Sequence, residues 1–566
     1  MKKPIAMLLA ATMSLGTVML AASCMKKPSD DTPVDEKTVS VRLYKAGFGD
    51  EFIYELKQKF EAAYADKGYK MKIYAEQGYA GTPMVQEMSR GYDKTNIDLY
   101  ITGAIMPNHV SKIGEYGEVC EDLEELVFNQ TAINYDGTET TDKISERIIP
   151  DFEPFLRADD GTMYGFTWLQ TSAGMVVNTE KLAAYGVTEL PRTTDEMFEV
   201  FDMIKNGANG VAGSAETKTY PITYNLAVGT GGASTYQTCA FKSWFAQYDL
   251  ETYNEFLRME TQSGDTWTAM EDGWKVFDNP NLKEVLEVSF RFMDAEYSSD
   301  DSGTQDLEQA QHALLKDPVN NFDEPQNNAV FMLNGDWYLN EVKANAGEDK
   351  LGQLAFMNVP VISTLGVKLF GAGTAYNLSN ADCDDLLSYI CKLVDENKSI
   401  DEIIAAVKAD KNIDLAKADA EAVATARGIC FTRGIEHLAF ITKGSTKKDM
   451  AALVLRMMAS DDYAETFMRL ANGSSPYTRS AATASKYPFI NQAAALTYNV
   501  HFHAINGRIQ GTRRSVLVSD YMFPGESNLA KTLRSRAANT SYEAAAQAMY
   551  DKAIADAKAA WEEYHS

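Results

Sequence analysis

Between Val39 and Ile101 the apolar residues change period twice, and that change constrains the fold more than any other feature. Val39, Val41 and Leu43 alternate with polar neighbours, as on a strand. After the loop Lys45-Ala46-Gly47-Phe48-Gly49, the residues Phe52, Leu56, Phe60 and Tyr64 recur every four positions, which predicts a helix that Gly68 stops. Met71 to Tyr74 and Ile97 to Ile101 read as two further strands. Strand, helix and strand in succession make a βαβ unit, so the fold class is α/β, with a sheet whose strand ends support loops on one edge.

The rest of the chain keeps the same alphabet. Asp159-Asp160-Gly161 predicts a turn before Met163 to Phe166, and Gly174 to Asn178 a strand leading into a short helix that Gly186 ends. Thr193 with Glu196 three residues on is a capping box for a long helix through Met197, Phe198, Phe201 and Ile204. Much of 240–345 has helical spacing, with a polar break at Ser298 to Thr304. Leu354 to Ile362 and Lys368 to Leu378 read as strands, and Asp382 to Arg427 as an inserted helical hairpin with its own box, Ser399 and Glu402. Amphipathic helix is expected over Met450 to Leu470, closed by Asn472-Gly473, and over Tyr542 to Trp561. With 566 residues, more than one domain is expected.

The N-terminus carries an address. Lys2 and Lys3, an apolar run from Ile5 to Ala22 and small residues at its end are the parts of a secretory signal. Leu20-Ala21-Ala22-Ser23-Cys24 resembles a bacterial lipobox, which implies cleavage after residue 23 and a lipid on Cys24, with the protein on the outer face of the cell membrane. Residues 24–37, rich in Lys, Pro, Ser and Asp, read as a flexible tether. The formal charge of −27 argues against nucleic acid and anionic lipid as partners and favours a neutral or cationic small molecule. Five of the six cysteines lie beyond Cys24 without a CxxC, so buried free thiols are expected.

Several segments together, in order, resemble the extracellular solute-binding proteins of carbohydrate ABC importers, relatives of maltose-binding protein. They are the lipobox, Val39 to Phe60, Asp98-Leu99-Tyr100, Asp160 to Phe166, Gly174 to Leu182, Asn334-Gly335-Asp336-Trp337 and Asn472 to Pro476. The resemblance implies a two-domain periplasmic-binding-protein-like fold of type II, with a guest held between domains that close on it. Matching segments puts domain 1 at 38–168 and 355–475, with the helical insert about 382–427, and domain 2 at 169–354 and 476–566. Crossings are then expected near Trp168 to Ala173, within Lys368 to Leu378 and near Pro476 to Ala481. It also implies a carbohydrate guest, ABC permease subunits as partners, a monomer, and neither cofactor nor metal.

A sugar has an apolar C–H face and a hydroxyl rim, so its site needs aromatic rings beside polar side chains. Trp337 and Asp336 rank first; Trp168 and Gln170 lie at the first crossing, Tyr236 and Gln237 after Gly229 to Gly232. Phe48, Asp50, Tyr79 and Thr102 follow strand ends, and Arg479 follows the third crossing. An alternative is a surface-anchored carbohydrate-active enzyme, but no acidic pair among Glu121-Asp122, Glu124-Glu125 and Asp300-Asp301 is singled out for hydrolysis. No catalytic residue is assigned, and His501 with His503 lack a third metal ligand. A lipoprotein presenting its guest to a sensor kinase, or binding a non-sugar solute, shares the same expected fold.

Overall fold

Val39, Val41 and Leu43 are fully buried, and they lie on a strand at the heart of the first of two large sheets. A computed structural model describes residues 30–565 apart from 31, 46, 77–81, 91–94, 104, 106, 112–117, 150–151, 154–155, 159, 227–231, 265, 316–327, 344–345, 432–436, 478–484, 499–500 and 504–528. In chain order the strands of these sheets are β1 (Thr38–Tyr44), β2 (Lys70–Glu76), β3 (Leu99–Ile101), β4 (Phe166–Thr167), β5 (Ala173–Asn178), β6 (Thr219–Thr223), β7 (Asn328–Gly335), β8 (Leu354–Met357), β9 (Ile429–Phe431), β10 (Leu438–Ile441) and β11 (His501–His503).

The first sheet has the order β2-β1-β3-β10-β4. β1 runs parallel to β2 from Thr38 opposite Lys70 to Tyr44 opposite Glu76, and parallel to β3 on its other side. The parallel pairing needs a crossover, which the helix Glu51–Ala63 supplies. That helix buries Phe52, Ile53, Leu56 and Phe60. At about 1.5–3 kcal/mol for each large apolar side chain, this face holds the helix on the sheet. Gly68, at φ +71°, lets the chain turn into β2.

The second sheet has the order β11-β9-β5-β7-β6, with β8 also paired to β5. β5 is buried at all six positions because sheet neighbours and both faces cover it, which explains an almost unbroken apolar run instead of alternation. The helix Thr194–Asn206 begins where expected: the Thr193 hydroxyl accepts from the Glu196 amide at 3.3 Å. The Glu196 carboxylate, however, accepts from the Arg192 amide at 2.6 Å, one residue before the cap.

Several expectations need correction. Lys368 to Leu378 is not a strand: Ser363–Phe370 is a helix that buries Leu365 and Phe370, and turns follow it. The segment 382–427 is not a hairpin on the first domain either. It belongs to three helices, Asn380–Asp395, Ile400–Lys411 and Lys417–Gly428. Their apolar faces, including Leu387, Ile390, Val407 and Val423, share one core with β5, β7 and the helix Thr194–Asn206. β9 then joins the second sheet with Phe431 opposite Ala173, and only β10 returns to the first. The chain therefore leaves the second sheet after Phe431 and enters the first at Leu438, and residues 354–431 pack with the second sheet. Apolar periodicity marks a buried face without naming the core that buries it, which is why sequence misplaced this segment.

The tether is also shorter than its composition implies. Asp30, Thr32, Asp35 and Lys37 already bond to the first lobe or to the entry of β1. Polar residues here satisfy backbone groups of an edge strand instead of water. Met450 to Leu470, lastly, is two helices, Lys448–Met458 and Asp461–Ala471, broken at Ser460, whose hydroxyl caps the second by accepting from the Tyr463 amide at 3.2 Å. The C-terminal helix Tyr542–His565 buries Ala546, Ala553, Ala557 and Trp561 in the second core.

Candidate functional site

Three passages of chain between the sheets lie side by side. The first runs from Thr167 at the end of β4 to Ala173 at the start of β5. Along it the Trp168 amide donates to the His437 carbonyl at 3.2 Å, and the Gln170 amide donates to the Ser474 carbonyl at 2.9 Å. His437 ends the second passage and Ser474 belongs to the third, so all three are held by backbone bonds. Such a seam permits rotation of one lobe against the other while keeping the lobes attached.

Asp336 locks onto the same seam from the end of β7. Its amide donates to the Ser172 carbonyl at 3.0 Å, and its Oδ2 accepts from the Ser172 amide at 3.2 Å. Asp336 Oδ1 and Ser172 Oγ are both buried and have no hydrogen-bond partner among the described residues. Burial pushes the Asp336 carboxyl up to about 8, although the amides of Ser172, Trp337 and Asp336 itself favour its charged form. The group therefore keeps a proton for part of the time near neutral pH and can donate as well as accept a hydrogen bond.

Trp337 follows, and it is the partly buried aromatic that packs against the apolar cores of both lobes. Its indole folds back over Gly335, where any Cβ would overlap the ring. Across the interface stands Gly47 in the loop after β1: a Cβ there would lie 3.5 Å from Trp337 Cβ and 3.8 Å from Glu341 Cγ. Glu341 sits one turn beyond Trp337 on the helix Tyr338–Val342, with its amide donating to the Trp337 carbonyl at 3.2 Å. Gln311 Nε2 donates to Glu341 Oε2. Burial outweighs that bond and pushes the Glu341 carboxyl up to about 7.

No protein-family model matches the chain, and no curated protein matches it. Solved structures do. A probable secreted solute-binding lipoprotein from Streptomyces coelicolor superposes with a TM-score of 0.54 at 12% identity, over 94% of this chain and 100% of the other. It has the two-domain solute-binding fold. A chitin oligosaccharide binding protein is similar, with a TM-score of 0.50 at 13% identity over 92% and 99%. So is maltose-bound MalE3 of T. maritima, with a TM-score of 0.50 at 12% identity over 93% and 99%.

Within this solute-binding fold the expected site residues separate into two groups. Asp336 and Trp337 meet at the interlobe seam. Trp168 lies in the first core at 1% exposure, stacked on Phe52 with ring centroids 5.9 Å apart and edge-on to Phe48 and Phe467. Its Nε1 donates to the Thr102 carbonyl at 2.9 Å. Phe48 and Thr102 are buried in the same place, so these three complete the core of the first lobe beneath the seam. Gln170 is buried in the seam itself. Asp50 pairs with Lys45 ahead of the helix Glu51–Ala63. Tyr79 and Arg479 lie outside the described residues, as do Cys24 and the turn at 227–231. Tyr236 and Gln237 are on the helix Gly232–Tyr248, and their side chains are outside the described set.

Gly47, Ser172, Gln311 and Glu341 were not among the expected site residues. Only Glu341 carried a readable signal, its position four residues after Trp337 and hence on the same helical face. Two asparagines add a link between the lobes. Asn340 Nδ2 donates to the Ala471 carbonyl at 2.6 Å, and Asn472 Nδ2 donates to Asn340 Oδ1 at 2.7 Å. Among the described residues no group of three or more His, Cys, Asp or Glu is placed to hold a metal ion, and no helix is long and apolar enough to cross a membrane. Cys120, Cys383, Cys391 and Cys430 are buried free thiols.

Proposed function

We propose that this is a membrane-anchored extracellular solute-binding lipoprotein that captures a sugar or oligosaccharide by closure of its two lobes and delivers it to an ABC permease. The observation that carries the reading is the meeting of Trp337, Asp336 and Glu341 with Gly47 where the lobes touch. An indole covers the C–H face of a pyranose, while carboxyl groups that both donate and accept suit its hydroxyls. The neighbours described as binding chitin oligosaccharide and maltose favour a neutral saccharide, and the formal charge of −27 disfavours an anionic one.

Closure follows from geometry. A guest between lobes contacts both of them only when they come together, so it binds the closed form more tightly. A preference of about 5.5 kcal/mol carries the population from nearly all open to nearly all closed. The permease then reads the closed shape, and the lipid on Cys24 keeps the protein beside it. Binding needs no covalent step, so the guest leaves chemically intact.

Calorimetry and thermal shift against maltose, chitin oligosaccharides and other neutral glycans test the reading. A guest at a hundredfold excess over its Kd adds about 2.7 kcal/mol to stability, a readily measured rise in Tm. Absence of heat and of any Tm change with every neutral glycan removes the proposal, and so does mass spectrometry that finds the guest cleaved. Incorporation of labelled palmitate, abolished by Cys24→Ala, tests the anchor separately.

A further inference from the structure

The free edge of β2 is covered by charged side chains, and one of them comes from the N-terminal approach to the fold. Met71 and Ile73 point their backbone groups away from β1, where an unpaired edge would invite another strand. Instead the Met71 amide donates to Glu61 Oε1 at 3.1 Å, Lys57 Nζ donates to the Met71 carbonyl at 2.7 Å, and the Ile73 amide donates to Asp30 Oδ2 at 2.7 Å. Lys57 Nζ also reaches both Asp30 oxygens, at 2.9 Å and 3.0 Å, and Thr32 Oγ1. Lys72 Nζ donates to the Asp30 carbonyl. The Asp30 side chain is 5% exposed. Burial alone raises its pKa, but the bonds from Thr32, Lys57 and Ile73 outweigh burial and hold the carboxyl down at about 2. A carboxylate so enclosed is a latch rather than a stretch of tether.

We infer that the latch at Asp30 makes the β2 edge of the first lobe the membrane-facing side of the protein, with the lipid bilayer as the surface it meets. The inference rests on the proposed lipid at Cys24. Five residues lie between Cys24 and Asp30, and the six steps of chain that join them span about 20 Å when fully extended. A tether free as far as Lys37 would span about 45 Å. A globule of this length has a radius of gyration of about 24 Å, so the shorter reach keeps β2 close to the bilayer while the far lobe stands off it. The longer one would let the molecule turn over.

The test uses the full-length lipidated protein in phosphatidylcholine vesicles with an acceptor dye on the lipid headgroups. Donor dyes are placed at Lys70→Cys, exposed at the start of β2, or at Lys408→Cys, exposed on the helix Ile400–Lys411 of the second lobe, in a Cys239→Ser background. Energy transfer from position 70 should exceed that from position 408 by at least about twofold, given the ~20 Å reach. Asp30→Ala, or Lys57→Met should the first variant fold poorly, should bring the ratio towards one while leaving glycan affinity unchanged. Equal or reversed transfer in the unmodified latch, or a ratio that survives both substitutions, overturns the inference. Flotation separates this from the anchor: Cys24→Ala protein that still floats with the vesicles overturns the lipid reading instead.

Discussion

Trp168 and Trp337 stand on either side of the same seam and do opposite things. Trp168 is sealed, with its ring against Phe52, Phe48, Phe467 and His437 and its N–H bonded to the Thr102 carbonyl. Trp337 is partly buried, touches both cores, and adjoins a buried carboxyl with one oxygen unpartnered among the described residues. The comparison teaches that an aromatic residue near an interdomain crossing supports the fold when its polar atom is satisfied internally. Where its surroundings are left incomplete, as at Trp337, it is the ring on which the proposed binding of a guest rests.

The largest effect that can break this comparison is Trp168→Ala. Loss of a fully buried indole should cost about 3–5 kcal/mol of stability, read as a lower urea midpoint, with glycan affinity of the folded protein little changed. A variant of unaltered midpoint that no longer binds would make Trp168 a contact residue. Next comes the upper end of the pH–stability curve. Asp336 and Glu341, pushed to about 8 and about 7, hold more protons folded than unfolded between roughly pH 4 and 8. Stability should therefore fall as pH climbs through that range. Asp336→Asn should flatten the fall above pH 7 in thermal melts; an unchanged slope would place the charge elsewhere.

Trp337→Ala should weaken binding of a neutral oligosaccharide by about 1 kcal/mol, or roughly fivefold, with a smaller loss of stability than Trp168→Ala. Gly335→Ala sharpens the same point without removing the indole, since its Cβ displaces the ring and should reduce affinity in calorimetry. The smallest effect concerns Asn472, which ends the helix Asp461–Ala471 at φ +49°. Asn472→Ala should lose about 1 kcal/mol for the left-handed backbone in addition to the bond to Asn340, whereas Asn472→Gly loses only the bond. In chemical denaturation the loss in Asn472→Gly relative to the unmodified protein isolates what the interlobe bond contributes, and the further loss in Asn472→Ala what the left-handed backbone costs.

Local pattern reached far in this chain. The alternation at Val39 to Leu43, the four-residue spacing from Phe52 to Phe60 and the Thr193 cap each depend on neighbours within one element, and each is present in the structure. Asp336 and Trp337 were legible as a pair because the motif that carries them is contiguous. The burial of Trp168 in a core was not legible, because an apolar ring beside a crossing looks the same in sequence whether it lines a cleft or closes a core. Gly47 was missed because the residues it faces, Trp337 and Glu341, sit on another lobe, hundreds of residues distant along the chain.

The sequence by itself determined the α/β class, the starts and stops of most helices and the Asp336-Trp337 motif, since these follow from dihedral preference and the period of burial. Only the tertiary structure decided that residues 354–431 pack with the second sheet, that Asp30 grips the edge of β2, and that Trp337 rather than Trp168 spans the two cores. The physical reason is that burial is a property of contacts between distant segments. Helical or strand periodicity states that a face is covered, and only packing selects what covers it.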